Sequence, residues 1–186
     1  MDVSIDLKYE EEDFIKACAA KERWAQQKLY EDHYGTMMGV CLRYANNEDE
    51  ALDILHDAFI KIFRSIGDYK PGTSLQAWMR RIMVNTSIDY YRKQTRRRTE
   101  DLDNAFGIQS YDPNALSLCA AEDIITCIQM LTPAYRSVFN LYVIEGYSHR
   151  EIADILNITE STSRSNLVKA RIKLKELLSE YKQPPL

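Results

Sequence analysis

Residues 148–178 read SHREIADILNITESTSRSNLVKARIKLKELL, and this stretch decides the class of fold. Ser148-His149-Arg150-Glu151 has the form of a capping box: a short hydroxyl residue stands three positions before a glutamate that can return a hydrogen bond. A short helix over Arg150 to Leu156 follows. Asn157-Ile158 then makes a tight turn, because asparagine tolerates the left-handed backbone such a turn requires. A longer helix begins near Thr159. Ile152, Ile155, Leu156, Leu167, Ala170, Leu174 and Leu178 supply an inward stripe, and Ala153 is small where two helices must cross closely. The second helix opens with Ser161, Thr162, Ser163, Arg164, Ser165 and Asn166, and Lys169, Arg171, Lys173 and Lys175 follow. Residues near the start of such a helix can read base edges while flanking cations neutralise phosphates, so the pattern predicts a DNA-binding helix-turn-helix. Taken alone, it would also describe a helical hairpin with a basic end suited to the helix dipole.

Outward from this stretch, helical spacing dominates the whole chain. Only 6 Gly and 5 Pro occur in 186 residues, and no strand-like alternation lasts. Asn47-Glu48-Asp49-Glu50 and Thr73-Ser74-Leu75-Gln76 resemble further capping boxes, and Thr132-Pro133 offers an N-cap followed by proline at the first helical position. Helices are predicted over 10–20, 22–45, 48–66, 74–97, 119–130, 133–145, 149–156 and 160–180. Between 98 and 118 the periodicity stops in a polar, acidic, turn-rich stretch. The expectation is an all-α protein of two helical domains, 8–98 and 119–182, joined by an acidic linker at 99–118.

The net charge of −4 argues against indiscriminate coating of nucleic acid. It hides strong segregation: residues 1–60 carry net −8, 61–98 net +8, 99–160 net −8 and 161–186 net +4. Two basic segments inside an acidic chain point to separate surfaces for separate partners. The N-terminus lacks a basic region and an apolar core, and no apolar run approaches the ~18 residues of a membrane span, so a soluble, cytoplasmic protein is expected. Cys18, Cys41, Cys119 and Cys127 show no metal-ligand spacing and sit among apolar neighbours, so they read as small core residues. No metal or cofactor site is expected.

Two helices of the first domain carry further signals. Over 48–66, Leu52, Leu55, Phe59, Ile62 and Ile66 repeat at core spacing, and Asp53, His56, Asp57 and Ile60 share the other side. An isoleucine beside carboxylates on an outer face suits docking to a protein. Over 74–97, Arg81, Asn85, Asp89, Arg92 and Arg96 lie along one face. Tyr90 and Tyr91 stand beside the basic tail Arg92-Lys93-Gln94-Thr95-Arg96-Arg97-Arg98, a composition that suits DNA with unstacked bases.

Together these segments resemble an extracytoplasmic-function sigma factor of the major bacterial sigma-factor family. Three runs carry the resemblance, in order: Ala51-Leu52-Asp53-Ile54-Leu55-His56-Asp57-Ala58-Phe59; then Trp78-Met79-Arg80-Arg81-Ile82 with Asn85, Asp89 and Arg92; then Tyr147-Ser148-His149-Arg150-Glu151-Ile152-Ala153 through Leu167 and Lys169-Ala170-Arg171. The resemblance implies a non-enzymatic protein that directs RNA polymerase core to promoter DNA. It implies polymerase docking through Asp53, His56 and Asp57, with Ile60 on the same face. It implies −10 recognition and melting by Asp68, Tyr69, Lys70 and Ser74 of a base-holding loop, with Arg81, Asn85, Asp89, Arg92 and Arg96. It implies −35 recognition by Ser161, Thr162, Ser163, Arg164, Asn166, Lys169 and Arg171. An anti-sigma factor, commonly membrane-bound, is also implied, and no small-molecule substrate. Four positions depart from the commonest pattern: His56 stands for Gln, Asn157 for a turn Gly, Ser163 for an apolar residue and Asn166 for Arg.

Two other readings fit parts of the sequence. A stand-alone helix-turn-helix regulator would act as a dimer, but no long heptad seam is present. A metal-dependent phosphohydrolase would use His33, His56-Asp57 and Asp89, in the order His…His-Asp…Asp.

Overall fold

The computed structural model describes residues 3–100 and 120–181, and every element among them is helical. In chain order they are α1 (Val3–Ala19), α2 (Arg23–Leu42), α3 (Glu48–Ser65), a 3-10 turn (Ile66–Asp68), α4 (Leu75–Glu100), α5 (Ala120–Gln129), α6 (Pro133–Phe139), a π turn (Asn140–Ile144), α7 (His149–Leu156) and α8 (Glu160–Tyr181). The all-α expectation holds. Four boundaries differ from the sequence reading by three residues or more. α2 stops at Leu42 rather than near 45. α1 starts at Val3 rather than near 10, because its first turns mix acidic and apolar residues without a clear helical period. α4 continues to Glu100. The helix expected over 133–145 changes at Asn140 into the π turn, which re-aims the chain before α7. The remainder of the expected linker, and Cys119, lie outside the described residues.

The helices fall into two compact units, Met1–Cys41 with Glu48–Ser87, and Leu42–Asn47 with Ile88–Leu186. In the first, buried Leu29, Met37 and Val40 of α2, Ile54, Leu55, Phe59 and Ile62 of α3, and Met79 and Met83 of α4 make the core. The α3 stripe predicted from spacing is buried at Leu55, Phe59 and Ile62, with Ile66 just beyond the helix, and half-buried at Leu52. Cys18 and Cys41 are buried here, and Cys127 is buried in the second unit, as expected for small core residues.

The second unit gathers Cys127, Ile128, Leu131, Ala170, Leu174 and Leu177 around Tyr135, Phe139 and Leu178. Thr132 caps α6 by accepting from the Tyr135 N–H, with Pro133 at the first helical position, as its sequence predicts. A helix leaves its last carbonyls without intrahelical donors, and here one side chain meets several of them. Arg136 is only 2% exposed. Its guanidinium donates to the carbonyls of Ile128 (3.2 Å), Gln129 and Leu131 (2.9 Å) at the end of α5. It also donates to the carbonyls of Tyr44 (3.0 Å) and Ala45 (2.5 Å) and to Asn46 Oδ1 (3.1 Å). Gln129 and Asn140 donate in turn to the Leu42 and Arg43 carbonyls, at 3.0 and 2.5 Å. Side chains thus meet the carbonyls at the end of α2 and at the end of α5.

Replacing Arg136 with Leu should destabilise the second unit by about 3 kcal/mol, because several buried acceptors lose their donor at ~1–3 kcal/mol each. Arg136→Lys should not restore stability, since a single ammonium cannot span the fork-shaped set of acceptors. Thermal unfolding, with hydrogen exchange followed at residues 128–131, checks both.

Candidate nucleic-acid and polymerase interfaces

α3 turns Asp53, His56, Asp57 and Ile60 to solvent, and Ile60 is 47% exposed. The helix buries the opposite side, so these four share an outer face as their spacing predicts. His56 Nε2 lies 3.4 Å from the Tyr30 hydroxyl of α2. Tyr30 in turn stacks at a tilt on Phe59, with ring centroids 4.6 Å apart, which fixes where the face meets the core.

Between the 3-10 turn and α4 the chain forms a short anchored loop. Asp68, Lys70 and Ser74 are exposed, whereas Tyr69 is buried. The Tyr69 hydroxyl lies 2.8 Å from Glu11 Oε1 and 2.5 Å from the Thr73 carbonyl, and its ring meets Trp78 at 5.7 Å. Glu11 also accepts the Gly72 N–H at 3.1 Å, at a residue whose φ of 85° suits glycine. Tyr69 therefore shapes the loop from inside and offers no free ring to a base, which corrects the expected direct contact. Burial raises its phenol pKa. Ser74, rather than Thr73, caps α4: its hydroxyl accepts the Ala77 N–H at 3.2 Å. Glu11 escaped the sequence reading because nothing local links it to a loop 58 residues on.

Along α4, Arg81, Asn85, Asp89, Arg92 and Arg96 are all exposed, so the predicted stripe is real. Arg92 approaches Asp89 at 4.0 Å and also donates to the Ile155 carbonyl within the second unit.

The helix-turn-helix is built as the sequence indicates. Ser148 and Glu151 form the reciprocal capping box, and Ser148 holds the Glu151 carboxyl below its usual pKa. Asn157 adopts φ 54°, ψ 51°, and its N–H reaches the Ala153 carbonyl. Thr159 receives the Thr162 N–H at 3.1 Å at the start of α8. Ser161, Thr162, Arg164, Lys169 and Arg171 are exposed and Asn166 is half-buried. Arg164 pairs with Glu160 at 2.6 Å. Ser163 is completely buried, so it cannot touch a base, and the expectation that it reads DNA is corrected. Its hydroxyl lies 2.9 Å from His149 Nδ1. The His149 ring stacks on Tyr142 with centroids 4.5 Å apart at 21°, and the Arg171 guanidinium sits 5.9 Å from the Tyr142 ring centre. Neither His149 nor Tyr142 stood out in the sequence, although a polar residue at the inward position 163 was the available signal.

The chain matches two family models, Sigma-70 region 2 over residues 29–97 and Sigma-70 region 4 over residues 121–174. The first holds the α3 face and the α4 stripe, and the second holds the helix-turn-helix. The chain is an extracytoplasmic-function sigma factor. Relatives agree along most of its length. The ECF sigma factor SigE of Mycolicibacterium smegmatis is 29% identical over 88% of this chain and 64% of its own, so the chain spans a little under two-thirds of that relative. CarQ of Myxococcus xanthus, an RNA polymerase sigma factor, is 28% identical over 84% of this chain and 90% of its own. Among solved structures, the sigma factor RpoE of Bartonella quintana, crystallised with the anti-sigma factor NepR, shares the fold. Its TM-score is 0.52 at 21% identity, covering 82% of this chain and 96% of that one. Sigma factors are not a catalytic family; they direct RNA polymerase to promoters. The stand-alone regulator and phosphohydrolase readings find no support in these matches. No helix among the described residues is long and apolar enough to cross a membrane.

The turn of the sigma factor's helix-turn-helix gives a direct check. Asn157→Gly should leave stability level or slightly raised, whereas Asn157→Ala should cost about 1 kcal/mol, because alanine keeps the Cβ but lacks the short amide whose local hydrogen bonding lets asparagine hold left-handed backbone. Chemical denaturation of the two variants reads the difference. On the acid side, Glu151 has a folded pKa below 4.5, so its support for α7 is present above 4.5 and is lost as pH falls through the lower folded value. A Glu151→Gln variant should lose that part of the pH dependence.

Proposed function

We propose that this sigma factor divides promoter recognition among three surfaces, with residues 8–98 as the −10 and polymerase-docking domain, 99–118 as linker and 119–182 as the −35 domain. Asp53, His56, Asp57 and Ile60 of α3 dock on polymerase core. Asp68, Lys70 and Ser74 line the place where an unstacked base of the −10 element is held, with Tyr69 and Glu11 shaping the loop behind them. Arg81, Asn85, Asp89, Arg92 and Arg96 follow the opened strand. Ser161, Thr162, Arg164, Asn166, Lys169 and Arg171 of α8 meet the −35 element. The observation that carries the reading is the continuous exposure of the α4 stripe inside a region 2 match.

The physical division of labour follows from charge and exposure. Contacts to the −35 element set register, and capture of unstacked −10 bases offsets part of the melting cost, a few kcal/mol per flipped base. The +8 and +4 segments face DNA, while the −8 segments keep the free protein off it. The protein performs no covalent chemistry of its own. It acts where polymerase acts, in the cytoplasm, and an anti-sigma factor restrains it; the relative crystallised with NepR is consistent with that partner.

Run-off transcription with purified core polymerase over genomic fragments tests the reading. Promoter-dependent product that requires this protein is expected, and its absence on every template would overturn it. Asn85→Ala should reduce permanganate-reactive opening at the −10 element roughly tenfold while closed-complex binding changes little. Arg164→Ala should weaken −35 occupancy in footprinting by an amount equivalent to about 1–3 kcal/mol, the usual worth of a base-edge arginine contact.

A further inference from the structure

The side chains just behind the reading face of α8 are polar where an apolar contact would suffice. Ser163 is fully buried between the exposed neighbours Thr162 and Arg164. A buried hydroxyl needs a partner, and here it is a histidine on another helix, 14 residues earlier in the chain. His149 occupies the first position of α7, so the contact ties the start of the first helix of the motif to the start of the second. The ring is held flat against Tyr142 of the π turn, and Tyr142 carries the guanidinium of Arg171 near its ring. Ser163, His149, Tyr142 and Arg171 therefore form one chain of contacts that begins and ends on α8.

We propose that His149 is a positioning residue for the −35 reading surface: through Ser163 and Tyr142 it sets how Thr162, Arg164 and Arg171 are presented to DNA, and it does so as a neutral ring. The proposal rests on the reading of α8 as the −35 helix. In the neutral ring with its proton on Nε2, Nδ1 accepts from the Ser163 hydroxyl. Protonation makes Nδ1 a donor, reverses the bond, and leaves the buried hydroxyl proton to find another acceptor. It also places a cation among those already present.

The groups that face the ring are Tyr142 from the π turn and Glu160, Arg164 and Arg171 from α8. Burial is the largest influence, and with Arg164 and Arg171 it holds the imidazole below its ordinary pKa of 6.5, while Glu160 acts in the opposite sense. The N-terminus of α7 also disfavours a cation at its first position. The arrangement is therefore intact above 6.5 and is lost as pH falls from 6.5 through the lower folded value. An added positive charge strengthens non-specific attraction to phosphate, so the quantity to follow is discrimination rather than raw affinity.

The experiment uses holoenzyme assembled from core polymerase and the full chain. Its probe is a promoter recovered by sequencing DNA retained on that complex, compared with the same promoter carrying a scrambled −35 element. The ratio of the two affinities is measured from about pH 7.5 to about pH 5.5, spanning histidine titration. The wild-type ratio is expected to fall roughly fivefold across that range, the equivalent of one hydrogen bond. His149→Ala should show the lowered ratio throughout. His149→Asn, whose amide replaces Nδ1 without titrating, should keep a ratio near the wild-type value at the upper pH and hold it to the lower. In the free chain, the His149 ring resonances should titrate below 6.5, and Ser163→Ala should move that titration. A His149→Ala ratio equal to wild type, a pH step unchanged in His149→Asn, or a ring titrating at or above 6.5 would each overturn the proposal. Arg164→Ala separates the two layers. If it leaves the ratio unchanged, the reading of α8 as the −35 helix fails, and the role of His149 fails with it. If it lowers the ratio while His149→Ala does not, only the positioning role falls.

Discussion

The buried guanidinium of Arg136 is the interaction on which the second unit depends. A helix that ends inside a protein has carbonyls with no donor, and each one left bare costs on the order of a hydrogen bond or more. Arg136 meets the carbonyls of Ile128 and Gln129 at the end of α5, that of Leu131 just beyond it, and two more at residues 44 and 45. Its planar fork suits the task because five N–H groups leave it in fixed directions. With that turn closed, α6 starts directly at Pro133, the π turn follows, and α7 and α8 are delivered to their crossing. The placement of the helix-turn-helix thus rests on a buried cation.

The same logic applies in the first unit on a smaller scale. Tyr69 and Glu11 hold the loop ahead of α4 through one phenol, one carboxylate and one backbone N–H. The exposed neighbours Asp68, Lys70 and Ser74 are left on the outside of a loop whose shape is already set. For the proposed base-holding role, a loop shaped in advance reduces the ordering cost that binding must overcome.

What could be read from the sequence was whatever repeats locally. The capping box at Ser148 and Glu151, the left-handed Asn157, the Thr132-Pro133 start of α6 and the faces of α3 and α4 all depend on spacings of one to four residues, and all are found in the structure. What escaped depends on contacts across sequence distance. The roles of Arg136 and Glu11 depend on partners far along the chain, so no local spacing marks them. The DNA contact that the resemblance implies for Ser163 fails because the side chain turns inward. Its position in the helix, four residues before the buried Leu167, was the better guide. The π turn had no local signature, since its residues continue an apolar helical pattern.

Two of the proposed DNA-contacting arginines already have partners. Arg164 meets Glu160, and Arg92 meets Asp89 and the Ile155 carbonyl. Both ion pairs lie in side chains that are roughly half exposed, where a pair of this kind is worth at most about 1 kcal/mol. A base-edge contact by arginine is worth about 1–3 kcal/mol, and release of counterions from phosphate adds to it. Exchange of the internal partner for DNA is therefore downhill at a correct site. At an incorrect site, phosphate attraction alone must compete with the internal pair. Weak, exposed partners of this kind raise discrimination at little cost to stability.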